Sequence, residues 1–376
     1  MRIGIEAQRI FRKKKHGMDI VALELIKALQ LIDQANQYFI FVKKGEDNAC
    51  ISETANFKIV EVPGLTYADW EQVFLPIYMR KYKIDVLHCT SNTAPVLCSA
   101  PTIITLHDVI FLEKQKQAEP VSNWYQELGR IYRKYIVPAS IKQTKRIITV
   151  SHYEKDRISD TLKIGGEKIS VLYNSFGKHF EIPGDKNQLV DIRTKYNLPE
   201  EYIFYIGNTD PKKNMPNVLK AYTNYVEQTD AHLPLLIADV SEKNLDSLLE
   251  KLDLQHHRKN IQLTGYIYNS DLPLIYAGAK VFLYPSLRES FGIPVLESMA
   301  CGTPVITSNT SALPEVAGEA ALLVNPSNLE EITKALSSSI SNEILRQHLI
   351  EKGLERIRAF SWNLSAANLL TIYKTI

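Results

Sequence analysis

At 376 residues, 45% of them apolar and 23% charged, the chain has the make-up of a globular protein with room for two domains. Its formal net charge of +2 argues against nucleic acid as the main partner. Four scattered cysteines, Cys50, Cys89, Cys98 and Cys301, lack Cys-x-x-Cys spacing, which argues against a zinc site or a disulfide framework.

The opening residues, MRIGIEAQRIF, are interrupted by Glu6 and Arg9. They are expected to form a first strand, Arg2 to Glu6, rather than a signal peptide. No run approaches the ~20 apolar residues that span a bilayer, so a cytoplasmic location is expected. A basic loop, Arg12 to Gly17, follows, and then an amphipathic helix over Asp19 to Ile32 with Val21, Leu25, Leu29 and Ile32 on one stripe. Strand, glycine-bearing loop and helix make a Rossmann-like opening, but the G-x-G-x-x-G fingerprint is absent, which disfavours a dinucleotide cofactor. Lys13 to Lys15 read equally well as a solvated charge run or as an attractor of a phosphate-bearing acceptor or acidic lipid.

Further strands are expected at Tyr38 to Val42, Phe57 to Val62, Asp85 to Cys89 and Thr102 to Leu106. The last ends in His107-Asp108. Ligands of open α/β sheets sit at the carboxyl ends of strands, which makes His107 a candidate; a capped turn is the plainer explanation, and Asp108 reads as structural. His88, inside its strand, reads as a satisfied core histidine. A long helix is expected from Ser122 to about Lys145, broken at Pro138. It carries an apolar-aromatic stripe (Trp124, Leu128, Ile131, Tyr132, Tyr135) beside Arg130, Arg133, Lys134 and Lys142. A core helix with a solvated basic face is the plainer reading, and an interfacial patch for anionic lipid the sharper one. Strands at Arg146 to Val150 and Val171 to Ser175 complete this half.

The chain turns polar between Phe180 and Glu200, which places the domain boundary there: residues 1–185 and 186–361. Tyr202 to Ile206 opens a second sheet, followed by a loop, Gly207 to Asn214, and a helix from Pro216. Lys212 and Lys213 stand at that helix start, and lysine beside a phosphate is a flexible point charge with three donors. Strands follow at Leu235 to Ala238 and Ile261 to Tyr266, then a helix over Asp271 to Ala279.

The most informative stretch is Val281 to Pro326, read as strand, loop, helix, strand, loop, strand. Glu289-Ser290-Phe291-Gly292-Ile293 leads into a helix whose first turn holds Pro294, and a helix N-terminus offers free N–H groups and a positive dipole end to phosphate. Gly292 allows close backbone approach. Glu289 and Glu297 flank this anion site, so they are expected to address something uncharged, and sugar hydroxyls fit. Taken singly, Glu289 is a solvated loop residue and Glu297 a dipole-favoured first-turn charge. Taken together with the glycines, the proline and the flanking strands, they describe a site for a nucleotide-sugar.

The pattern E-S-F-G-I-P-x-L-E-x-M-A-x-G-x-P-V-I from Glu289, followed by S-x-L-P-E-V-x-G-x-A-A-L-L-V-x-P from Ser311, closely resembles glycosyltransferase family 4. The resemblance implies an α/β GT-B fold, with two Rossmann-like domains facing across a cleft and a final helix, 362–376, packed back on the first. It implies a retaining hexosyltransferase that uses a nucleotide-sugar donor and a glycan or lipid-linked acceptor in surface-polysaccharide synthesis. The similarity of YIGNTDPKKN to mannosyltransferase-like members favours GDP-mannose over a UDP-sugar. By the same resemblance His107 faces the transferred sugar, Lys213 holds the diphosphate, Glu289 orients the sugar, Glu297 takes the ribose hydroxyls, and Gly17 lies near donor and acceptor. Gly265 and Tyr266 contact the base, and Ser290 to Ile293 bind the donor through the loop. Asn208 stands where many members have arginine, a loss that Lys212 or a backbone amide is expected to offset. No D-x-D occurs, so no metal and no cofactor are expected. The alternative is a catalytically inactive nucleotide-sugar-binding protein, for which Asn208 is the single mark. A same-fold epimerase or phosphorylase has no support, because no lysine suited to a pyridoxal Schiff base is evident. Peripheral contact with the inner face of the cell membrane is compatible with the basic segments.

Overall fold

The computed structural model describes residues 1–112, 124–185, 187–207, 210–229 and 231–376, with side chains described from residue 128 in the helix that starts at Trp124. It divides into two compact units, Met1–Asn174 with Trp362–Ile376, and Ser175–Ser361.

The first unit is built on seven parallel strands in the order β3-β2-β1-β4-β5-β6-β7. These are β1 (Arg2–Glu6), β2 (Gln37–Val42), β3 (Phe57–Glu61), β4 (Val86–Cys89), β5 (Thr102–Thr105), β6 (Arg146–Thr149) and β7 (Ile169–Val171). The central strands are buried on both faces, as expected of a parallel sheet covered by helices, so they read as continuous apolar runs without alternation. The Gly17–Ile32 helix buries Val21, Leu25 and Leu29, while Ile32 stays exposed at its end. The final helix, Trp362–Lys374, packs on it and buries Trp362, Leu369 and Tyr373. His88 of β4 is the polar pin of this core. Its Nδ1 lies 2.8 Å from the Tyr373 hydroxyl and its Nε2 2.8 Å from Thr105 Oγ1. Burial lowers its pKa to about 3, so the ring is neutral.

The second unit holds six parallel strands in the order β10-β9-β8-β11-β12-β13. They are β8 (Ile203–Ile206), β9 (Leu235–Ala238), β10 (Ile261–Leu263), β11 (Val281–Tyr284), β12 (Val305–Ser308) and β13 (Ala321–Val324). In both units the strand order reverses beside the first strand, and ligands of such sheets bind at the carboxyl ends near that switch point.

Five expectations need correction. The strand expected at Val171 to Ser175 lies at Ile169–Val171 and shares only Val171 with that run. The division lies at Asn174/Ser175, not at residue 185. Ser175 Oγ donates to the Phe360 carbonyl at 3.2 Å and Phe180 packs edge-on to Tyr276, which ties this stretch into the second unit. The polar run taken as a boundary contains a helix, Asn187–Tyr196, that buries Ile192. One buried residue in ten is too thin a stripe to distinguish from a linker. The Trp124–Gln143 helix runs through Pro138 without a break. Proline removes one backbone bond, and the buried Val137 and Ile141 hold the helix on the sheet. β10 stops at Leu263 rather than Tyr266, because Gly265 takes a φ of +68° and turns the chain away.

Candidate active site

In the second unit the carboxyl end of β11 meets the loop after β8. Lys213 closes a one-turn helix, Pro211–Lys213, and its carbonyl accepts from the Tyr205 hydroxyl at 3.0 Å. Asn214 then adopts a left-handed φ of 65°, and its side-chain amide donates to the Pro285 and Pro326 carbonyls at 2.9 and 2.7 Å. That clasp joins the ends of three chain segments. The Leu287–Phe291 loop is tied down twice. Leu287 N–H donates to the Lys212 carbonyl at 2.7 Å, and Glu289 N–H donates to Ser311 Oγ at 3.1 Å.

The result is a closed triangle of side chains. Lys213 Nζ donates to Glu289 Oε1 at 2.8 Å and to the Tyr284 hydroxyl at 2.6 Å, and that hydroxyl donates to the same Glu289 oxygen at 2.9 Å. The Lys213 and Glu289 side chains are 16% and 13% exposed, so the pair is largely withdrawn from water yet still reachable. Burial and the adjacent Glu289 charge push the Tyr284 phenol well above its usual range, which keeps it a neutral donor.

Beside the triangle, Gly292 takes φ +111° and ψ 49° as the N-cap of the Ile293–Ala300 helix. A Cβ there would lie 2.7 Å from Leu313 Cδ2, so both the dihedral and the space demand glycine. The Gly292 and Ile293 amides have no protein acceptor among the described residues. They sit at the positive end of the helix dipole, next to the Lys213 ammonium. Phe291 contributes backbone only, since its ring is buried edge-on to Phe360. On the same helix, half-buried Glu297 accepts from the Tyr276 hydroxyl at 3.2 Å, and desolvation raises its carboxyl to about 7. Its protonation is therefore balanced near neutrality.

In the first unit His107 follows β5 and is buried, lining a small cavity with Val21, Ala22, Leu25, Thr90 and Thr105. Its amide donates to Asn92 Oδ1 at 2.6 Å, and its Nε2 is 3.0 Å from the Thr90 carbonyl oxygen. A carbonyl only accepts, so the ring proton resides on Nε2 and Nδ1 is an acceptor. Burial lowers the ring pKa, against the Thr90 hydrogen bond and the Asp108 charge, so the neutral form is favoured.

The remaining expected residues separate. Gly17 is exposed at the first residue of its helix, and a Cβ there would meet nothing, so nothing in the protein itself demands glycine. Lys13 and Lys15 pair with Glu46 and Asp47, which neutralises much of the basic loop. Lys212 lies 3.4 Å from Asp210 Oδ2 with its side chain well exposed. Gly265 faces open space, and Tyr266 is 67% exposed beside Tyr268. Asn208 lies outside the described residues. Sequence reading missed Tyr284, Tyr276 and Asn214. Tyr284 carried a usable signal, a phenol at the last position of a buried strand, where a hydroxyl reaches the ligand edge. One set of three potential metal ligands occurs among the described residues, Glu227, His256 and His257. It lies at the far end of the Met215–Glu227 helix, ~18 Å of helical rise from Met215, and takes no part in this site. No helix among the described residues is long and apolar enough to cross a membrane.

Comparison with known proteins agrees with this architecture. The O-antigen chain mannosyltransferase B of Escherichia coli is 30% identical over 300 residues, 79% of this chain and 76% of that protein. The O-antigen chain mannosyltransferase RfbU of Salmonella typhimurium is 30% identical over 263 residues, 70% of this chain and 66% of that one. The solved structure of sucrose-phosphate synthase from Thermosynechococcus elongatus shares the fold, with a TM-score of 0.73 at 19% identity over 100% of this chain and 98% of that one. Residues 191–356 match the family described as Glycosyl transferases group 1, and residues 16–176 match Glycosyltransferase Family 4. The chain is thus a glycosyltransferase of GT-B fold and belongs to glycosyltransferase family 4.

Proposed function

We propose that this enzyme transfers mannose from GDP-mannose, with retention of configuration, to a glycan or lipid-linked acceptor in the assembly of an O-antigen-type surface polysaccharide. The observation that carries the reading is the Lys213–Tyr284–Glu289 triangle beside the free amides of Gly292 and Ile293. It supplies a cation and backbone donors for a diphosphate and a carboxylate for sugar hydroxyls in one place. The names of the two bacterial relatives support mannose and O-antigen chemistry.

In this reading the donor diphosphate lies against Lys213 and the start of the Ile293–Ala300 helix, where charge building on the leaving group is stabilised electrostatically. Ionised Glu297 accepts both ribose hydroxyls, and Gly265 and Tyr266 bear on the base. Glu289 holds hydroxyls of the transferred sugar, and the acceptor nitrogen of His107 is suited to a sugar hydroxyl. Lys213 supplies the charge a metal would otherwise bring, so neither metal nor cofactor is required. A departing phosphate that takes the acceptor proton on the same face accounts for retention without a protein nucleophile. The basic face of the Trp124–Gln143 helix is suited to peripheral contact with anionic lipid.

The test is a thermal-shift panel of GDP, UDP, ADP and their sugars, with and without EDTA. A ligand at ~100 times its Kd stabilises by roughly 2.7 kcal/mol. A shift with GDP-mannose that survives EDTA and disappears in Lys213→Ala and Glu297→Ala supports the reading. A shift confined to UDP-sugars reassigns the donor, and no shift with any nucleotide defeats the reading.

A further inference from the structure

The first unit carries two arginines that the donor chemistry does not use. Arg9 follows β1 in the loop before the Gly17–Ile32 helix, and Arg133 lies on the Trp124–Gln143 helix. The Arg9 guanidinium sits 5.0 Å from the centre of the Tyr67 ring, and that of Arg133 lies 5.6 Å from the centre of the Phe111 ring. Neither forms an ion pair with a described carboxylate, and Arg9 Nε is buried with no acceptor. The nearby carboxylates bond elsewhere and offset the two cations only through space: Glu6 accepts from the Gln8 and Thr90 amides, and Asp108 Oδ1 accepts from the Ile110 amide.

What holds the aromatic platform is a buried carboxyl. Glu71, in the π-turn Trp70–Phe74, is fully buried and accepts from the Tyr132 hydroxyl at 2.6 Å, the Tyr67 hydroxyl at 3.1 Å and the Gln72 amide at 2.8 Å. Thr93 donates to it as well. The Tyr67 and Tyr132 rings meet edge to face at 5.7 Å, so the ring under Arg9 is locked to the helix that bears Arg133. Arg9 follows β1 and His107 follows β5, so both stand at the carboxyl edge of the sheet, and Arg9 lies close enough to Arg133 for the two cations to repel each other. Like charges held together in a partly buried place, with rigid stacking partners and no ion-paired carboxylate among the described residues, favour an anion that joins them. Guanidinium forks match phosphate oxygens two at a time.

The geometry points to Arg9 and Arg133 as a binding site for a phosphate or diphosphate group carried by the acceptor, with Tyr67, Tyr132 and Glu71 as positioning residues. The assignment to the acceptor rests on the transferase reading above; the anion site itself does not.

The experiment is calorimetric titration of the full chain with pyrophosphate, with GDP first added to saturation so that the donor site is filled. Binding of pyrophosphate under these conditions is expected to weaken about tenfold in each of Arg9→Gln and Arg133→Gln, the loss of a charge-assisted contact. Arg133→Lys, which keeps the charge and loses the fork, is expected to lie between. Circular dichroism and the GDP Kd of each variant separate misfolding from a lost site. Farnesyl diphosphate and glucose 1-phosphate are titrated in parallel; tighter binding of the first identifies an isoprenoid-linked acceptor, and of the second a soluble sugar phosphate. Absence of pyrophosphate binding in the parent chain, or binding equal in parent and both folded variants, overturns the inference. Arginine-dependent pyrophosphate binding without any GDP binding keeps the anion site and removes the transferase reading instead.

Discussion

Lys213 and Glu289 are ion-paired at 2.8 Å, so the cation suited to the diphosphate and the carboxylate suited to the sugar share one hydrogen bond. A diphosphate arriving here divides the ammonium with Glu289. The two residues therefore separate in mutagenesis. Lys213→Ala is expected to weaken GDP by about tenfold or more and to slow transfer by ~100-fold, the usual scale for one lost electrostatic donor. Glu289→Gln releases the ammonium, so GDP is expected to bind as well or better while transfer falls comparably. Equilibrium GDP binding and initial rates on both variants check this, and a Glu289→Gln variant that loses GDP as severely as Lys213→Ala refutes it.

Glu297 has its carboxyl raised to about 7 by burial, and two ribose hydroxyls donate more strongly to its ionised form, in which both oxygens accept. Below that value the carboxyl must first release its proton. GDP-mannose affinity is therefore expected to fall by up to about tenfold per pH unit below 7 and to level off above it. The sugar-diphosphate itself has no group ionising in that range. Glu297→Gln should give weaker binding with a flat pH profile between 6 and 8.

His88 predicts a loss of stability without a loss of chemistry. His88→Leu strands the Tyr373 and Thr105 hydroxyls in a dry core, at a cost of about 2–5 kcal/mol. The native ring has its pKa depressed from 6.5 to about 3, so its contribution is present above about 6.5 and is lost as pH falls toward 3. The gap in unfolding free energy between parent and variant should narrow as pH drops from 7 to 5. Urea titrations at the two pH values measure it, and a gap that widens contradicts the neutral buried ring.

Gly292→Ala meets two separate obstacles, a φ of +111° and Leu313 Cδ2 at 2.7 Å from the new Cβ. The strain is expected to be of order 1–3 kcal/mol and to displace the amides offered to phosphate. Adding Leu313→Ala removes the contact but not the dihedral cost, so GDP affinity should recover only in part. Full recovery in the double variant would mean that the backbone conformation is not what binds.

Much of this molecule was legible in the linear sequence. Twelve of the thirteen strands among the described residues fall at the expected runs because parallel strands covered on both faces are apolar throughout, and loop-to-helix joints with Gly292-Ile293-Pro294 announce themselves by composition. Glu289, Lys213 and His107 stood out because each follows a strand or precedes a helix, and Glu297 because it lies one turn into the helix after Gly292. Less visible were helices with thin apolar stripes: Asn187–Tyr196 buries one residue, and the turn of helix holding Glu71 hides its carboxyl among tyrosines from elsewhere in the chain.

The sequence alone determined the class of the fold, the order of its elements and the chemical types gathered in the loops after β8 and β11, because these follow from local periodicity and turn chemistry. Only the tertiary structure decided that Lys213 is held by Tyr284 and Glu289, that burial pushes the Glu297 carboxyl up to about 7, that His107 presents Nδ1 as an acceptor, and that Arg9 and Arg133 stand over aromatic rings. Those properties depend on distances between residues 17 to 76 positions apart and on the water excluded between them, and neither quantity is written in the spacing of residues along the chain.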